Sequence, residues 1–151
     1  MDNTHNAIAS LALETLETLC FLFPVDEDEF DGDLLVALDE HPHALVEFDG
    51  YMKGGVMIST EASLMEALVS NMLDEDDITD ELRFTALSEL TNIICGNVIP
   101  ILSEGRGVCH MQPPRLATAQ EVSGEAFEGY NHETIRLTLD EGLAEIQVFY
   151  S

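Results

Sequence analysis

The chain has 151 residues, 46% of them apolar, with 30 acidic against 5 basic side chains and a formal net charge of −25 at pH 7. That length is one domain with room for a real core. The charge excludes nucleic acid and anionic membrane surfaces as partners, because no basic patch exists to displace counterions, and it favours a protein with a basic rim.

The start, Met1-Asp2-Asn3-Thr4-His5, lacks the positive region of a signal peptide, and the cytoplasm is the expected compartment. Residues 5–23 read as a first helix, with Ile8, Ala12, Leu16, Leu19 and Phe23 as its apolar stripe and Pro24 as its stop. The acidic run 26–33 has Phe30 where a calcium loop needs its third oxygen ligand, so it reads as a solvated loop. Residues 34–39 and 44–49 are short strand-like segments separated by the turn Glu40-His41-Pro42-His43. Two His without a third ligand in sight make that a surface turn before a metal site. Asp49-Gly50 and Lys53-Gly54-Gly55 frame a tight connection into a strand over 56–60, and the spacing of a phosphate loop is missing around Lys53.

Thr60-Glu61 is expected to cap a second helix that buries Leu64, Leu68 and Met72. Asp77 is the expected cap of a long central helix starting near Ile78, which Pro100 should kink or end before Gly105 closes the turn. Residues 115–122, 134–139 and 143–150 read as strands, the last two joined by Asp140-Glu141-Gly142. No uninterrupted apolar run approaches the roughly 20 residues of a membrane span. Cys20, Cys95 and Cys109 are odd in number and embedded in apolar segments, as reduced and mostly buried thiols would be. The sum is an α+β fold, a largely antiparallel sheet of about six strands with about three helices packed on one face, in a single domain over 1–151.

The central helix carries the candidate site. Phe84, Leu87, Leu90, Ile94, Val98 and Ile101 make one broad apolar face. At about 100° per residue, Thr85, Glu89, Asn92 and Gly96 fall within roughly 60° of one another on the opposite side. An isolated Glu and Asn at this spacing are equally at home on an ordinary solvated face. Asn and Gly, however, are poor helix formers, Gly by about 1 kcal/mol against Ala, so their alignment in mid-helix points to a constraint other than helix stability.

The string Glu89-Leu-Thr-Asn92-Ile-Ile-Cys-Gly96-Asn97 resembles the ExxNxxxGN signature of the CheX/CheC-type phosphatases of bacterial chemotaxis. The order of parts is similar too: an N-terminal helix, strands meeting at Gly54-Gly55-Val56-Met57-Ile58, a short helix from Glu61, an acidic linker, the motif helix and C-terminal strands. The resemblance implies hydrolysis of the aspartyl phosphate of a CheY-like response regulator. Asn92 would hold the attacking water, Glu89 would pair with the regulator's active-site lysine, and Thr85, Ser88 and Gly96 would face the partner. It implies no cofactor bound by this chain, Mg²⁺ coming from the regulator, and a homodimer joined at sheet edges. The alternative is a non-catalytic module that binds a regulator or dimerises.

Three departures from the family pattern stand out. Thr85 replaces its Ser or Asp, Pro113 and Pro114 stand one or two residues early for its later Pro, and Pro100 is unusual. The first helix has Glu17-Thr-Leu-Cys20, with Cys where the second Asn of two-motif members would stand, which leaves one active site per chain.

Overall fold

The computed structural model describes residues 3–24, 41–73 and 77–151. The acidic run 26–33, the strand expected over 34–39 and most of the acidic connector before the central helix lie outside the described residues.

Six strands form one sheet: β1 (Ala44–Gly50), β2 (Gly54–Thr60), β3 (Cys109–Met111), β4 (Arg115–Leu116), β5 (Asn131–Leu139) and β6 (Gly142–Tyr150). The order is β3-β1-β2-β6-β5, β4 joins β3 on the same edge of β1, and every pairing among the described strands is antiparallel. Alternation sorts the side chains. Ala44, Val46, Val56, Ile58, Ile146 and Val148 point into the main core, while Leu45, Met57 and Phe149 point to the other face. Covered on both sides, β2 is buried along its whole length. Gly54 belongs to that crowding, because a methyl there would run into the Phe149 carbonyl oxygen on β6.

Three helices pack on the main face: α1 (Asn3–Cys20), α2 (Ala62–Leu68) with a π-turn over Val69–Leu73, and α3 (Asp80–Ser103). Their buried residues include Ile8, Ala12 and Leu16, then Leu64 and Leu68, then Leu87, Leu90, Ile94 and Val98. By length and composition α3 could cross a membrane. Its apolar residues are instead committed to the core, and its other side carries Glu89, Asn92 and Asn97. That is the profile of a core helix.

Several boundaries differ from the expectation. Helix α1 stops at Cys20 because Phe21 turns left-handed (φ 56). The turn swings Leu22 into the core, its N–H donating to the Leu16 carbonyl, and leaves Leu19 and Phe23 44% and 51% exposed. Thr60 stays in β2 and Glu61 is the N-cap of α2, without a side-chain cap bond. Its Oε1 instead accepts from the Leu143 N–H at 2.6 Å, fastening α2 to β6.

Thr79, not Asp77, caps α3, its hydroxyl accepting from the Leu82 N–H at 3.1 Å, with Asp80 and Glu81 placed to suit the helix dipole. Pro100 does not end the helix, which runs on to Ser103 and closes through Glu104 (φ 55) and a bond from the Gly105 N–H to the Pro100 carbonyl. His43 is not a surface residue: it is 2% exposed, and its Nδ1–H donates to the His41 carbonyl at 2.9 Å.

The strand expected over 115–122 is β4 and then a short helix, α4 (Ala119–Val122). Thr118 opens it with a capping box: its Oγ1 accepts from the Glu121 N–H, and Glu121 Oε1 accepts from the Thr118 N–H. This segment and the 3₁₀ turn Glu125–Phe127 lie on the second face, where Phe127 stacks on Phe149 at 4.2 Å.

Candidate functional site

Packing α3 onto the sheet and its neighbouring helices decides which of its residues reach solvent. Ala86, Leu87, Leu90, Thr91, Ile94, Cys95 and Val98 are buried. Thr85, Glu89 and Gly96 are exposed, and Ser88 and Asn92 are half-buried. The structure therefore brings all five of the expected site residues onto one outward face of a single helix.

Their bonding separates them. The Thr85 hydroxyl donates back to the Glu81 carbonyl at 2.9 Å, and Asn97 Nδ2 donates to the Ile93 carbonyl at 3.0 Å. Both are occupied within the helix. Glu89 and Asn92 make no side-chain hydrogen bond or ion pair with another described residue. A carboxylate and a carboxamide thus stand one turn apart with their hydrogen-bonding capacity unspent.

Met111 on β3 flanks this face, a neighbour that the sequence pattern does not announce. Its Sδ lies 3.7 Å from where a Cβ on Gly96 would stand. A strand of three residues gives no periodic signal that could have revealed it.

The face is open to solvent at Thr85, Glu89 and Gly96. Cavities of ≈ 570, ≈ 420 and ≈ 500 Å³ lie elsewhere, lined respectively by His41, His43 and Leu116, by Ser63 and Asn71, and by Tyr51 and Arg106; none of the three includes Glu89 or Asn92. Among the described residues, no three His, Cys, Asp or Glu side chains gather as a metal site requires. An open surface with two free polar groups suits a macromolecular partner that brings the rest of the chemistry with it.

The sequence comparison decides the family. Chemotaxis phosphatase CheX matches residues 42–144, more than half of the chain. The chain belongs to the CheX family. No curated protein sequence matches it. Solved structures of this family share the fold. The chemotaxis protein CheX of Desulfovibrio desulfuricans superposes with a TM-score of 0.68 at 17% identity, over 98% of this chain and 99% of that one. CheX in the CheX–CheY–BeF₃–Mg²⁺ complex of Borrelia burgdorferi gives 0.67 at 16%, covering 99% of each chain. A CheC-like superfamily protein from Shewanella sp. PV-4 gives 0.67 at 18%, over 100% and 99%.

Cys20 stands in the first helix at the position that a second Asn would occupy. Cys20 is fully buried, and desolvation pushes its thiol up to about 11. Cys95, beside Gly96 in the motif helix, is likewise sealed in: burial, then the proximity of Cys109, pushes it up to about 12. Both are inert packing groups.

Proposed function

We propose that this CheX-family chain hydrolyses the aspartyl phosphate of a CheY-like response regulator, in the cytoplasm and as a single domain. The observation that carries the reading is the pair Glu89 and Asn92, one turn apart on an exposed face and unbonded to other described residues. The relative from Borrelia burgdorferi, solved with CheY, BeF₃ and Mg²⁺, supports a CheY-type regulator as the partner.

In this reading α3 lies against the regulator's phosphorylation site. The regulator's Mg²⁺ neutralises charge on the phosphoryl oxygens. Asn92 accepts a hydrogen bond from the attacking water at its amide oxygen and holds the water in line with phosphorus. The water oxygen bonds to phosphorus, the bond to the aspartyl oxygen breaks, and its electron pair returns to the carboxylate; the water protons leave with the phosphate. An acyl phosphate is a good leaving system, so orientation supplies the acceleration and no strong base is needed. An uncharged amide suits a place beside a phosphoryl group better than a carboxylate. Glu89 pairs with the regulator's active-site lysine and fixes the register of the helix. Thr85, Ser88 and Gly96 border the contact. A homodimer joined at the sheet edges formed by β5 or β3 belongs to the same reading.

The test is phosphate loss from a Mg²⁺-loaded, phosphorylated CheY-type regulator of the same organism. The native chain should accelerate it, and Asn92→Ala should lose about 100-fold of that acceleration while still binding. Binding with no acceleration by the native chain would overturn the enzyme reading in favour of a docking module.

A further inference from the structure

Gly96 is exposed within α3, one turn beyond Asn92. Of the described side chains beyond its two chain neighbours, only Met111 comes within 4 Å of where a Cβ on Gly96 would stand, Sδ at 3.7 Å. That is ordinary van der Waals contact, so an alanine would fit, and alanine is the better helix former. The packing around position 96 therefore does not require glycine. The missing Cβ leaves a shallow notch, walled on one side by the Met111 thioether. Met111 packs against the main core but is only partly buried, and its strand runs beside α3, where Cys109 comes near Cys95. The notch offers little to a polar group. A thioether is a weak acceptor and no donor, and the Asn97 amide donates back to the Ile93 carbonyl. A peptide group or charge pressed against Met111 would lose water without gaining a partner, at a cost that an aliphatic side chain does not incur. Methionine is also an adaptable apolar surface that interfaces favour.

We propose that Met111 is the apolar wall of the docking face, and that the notch at Gly96 seats an aliphatic side chain of the response regulator against it. The wall rests on the reading of Glu89 and Asn92 as the phosphatase pair and names what packs beside them. A dry contact one turn from Asn92 shuts bulk water out at the border of the polar pair. Met111 is a positioning residue and touches no reacting atom.

Met111→Gln keeps the length of the side chain and makes it polar. Affinity for the Mg²⁺- and BeF₃-loaded regulator should fall about five- to thirtyfold, the range of a buried interface contact. In phosphate-loss assays the change should appear in KM with kcat held, and Met111→Leu, which conserves apolar volume, should restore most of it. Gly96→Ala fills the notch: it should weaken binding while the melting temperature of the free chain holds or rises, opposite signs that a merely structural glycine would not give. Native affinity in Met111→Gln, or in a folded Gly96→Ala, would overturn the wall. If sedimentation then showed self-association lost in the same variant, the notch would belong to a second copy of the chain. Failure of the phosphatase reading alone looks different: Asn92→Ala would turn over like the native chain while Met111→Gln still lost affinity. A native chain that did not bind the regulator would overturn both.

Discussion

In the proposed reading Asn92 and Glu89 do different work, and substitution should separate them. Asn92→Ala would remove the group that orients water and strike turnover. Glu89→Ala would remove an ion pair formed only in the complex. Because Glu89 is exposed and bonded to no other described residue, the free protein loses nothing by its truncation. Its removal should cost about 1–2 kcal/mol of association, read as a roughly 5- to 30-fold rise in KM for the regulator with an unchanged melting temperature. A fall in kcat with KM constant would place Glu89 in the chemistry instead. These residues were legible in the sequence because they share one helix, where spacing alone fixes relative position. Met111 was not, since it arrives beside Gly96 only through the pairing of β3 with β1.

At the scale of elements, an ionic junction fastens β4 and α4 to β1 on the second face of the sheet. Arg115 on β4 grips both oxygens of Glu121 at 2.8 and 2.6 Å and also reaches Glu47 on β1 at 2.7 Å. The hydrogen bonds from Arg115, aided by those within the capping box, hold the Glu121 carboxyl at about 2, and Glu121, then Glu47, raises the Arg115 guanidinium above its ordinary value. A depressed acid stabilises the fold above its unfolded value of 4.5 and loses that contribution as pH falls through about 2. Urea titrations between pH 6 and 2 should therefore show acid destabilisation that shrinks in Arg115→Met, in which nothing lowers Glu121 so far. An identical pH slope in the variant would remove the junction from the acid response.

The same junction shows why some elements escaped the sequence. Thr118-Ala-Gln-Glu121 is a capping-box string, but it follows the Pro113-Pro114 punctuation that also opens a strand, and a helix of four residues has no period of its own. The end of α1 failed differently. Its stripe continues through Leu19 and Phe23, and only the left-handed turn at Phe21, a conformation aromatic residues seldom adopt, takes the chain out of register. Long elements with a sustained period, α3 and the β5–β6 hairpin, could be placed from the sequence. Caps and short strands are fixed by tertiary partners such as the Leu143 N–H bound by Glu61, and a one-dimensional pattern does not contain them.

For the molecule as a whole, charge acts on folding and on encounter with opposite signs. The chain carries −25, and its few cations are already engaged locally: Arg83 with Asp80 and Glu66, Arg106 with Glu104, Arg115 with Glu47 and Glu121, Arg136 with Glu145, and Lys53 over the Tyr130 ring. The remaining acids repel one another across a compact surface and are spread apart on unfolding, so screening should favour the native state. Raising salt shortens the Debye length from about 30 Å at 0.01 M to about 10 Å at 0.1 M, inside the dimensions of the domain. The melting temperature should rise steadily over that range. Association with a basic-rimmed regulator should change the other way, because the field that steers it is the field being screened, and steering of this kind is worth about 10- to 1,000-fold in rate. Stopped-flow binding and thermal melts across one salt series measure both. A rising melting temperature with a falling association rate is the expected pair. Association that quickens with salt would mean that the partner presents acid to α3, and Glu89 would then be meeting repulsion where a lysine is required.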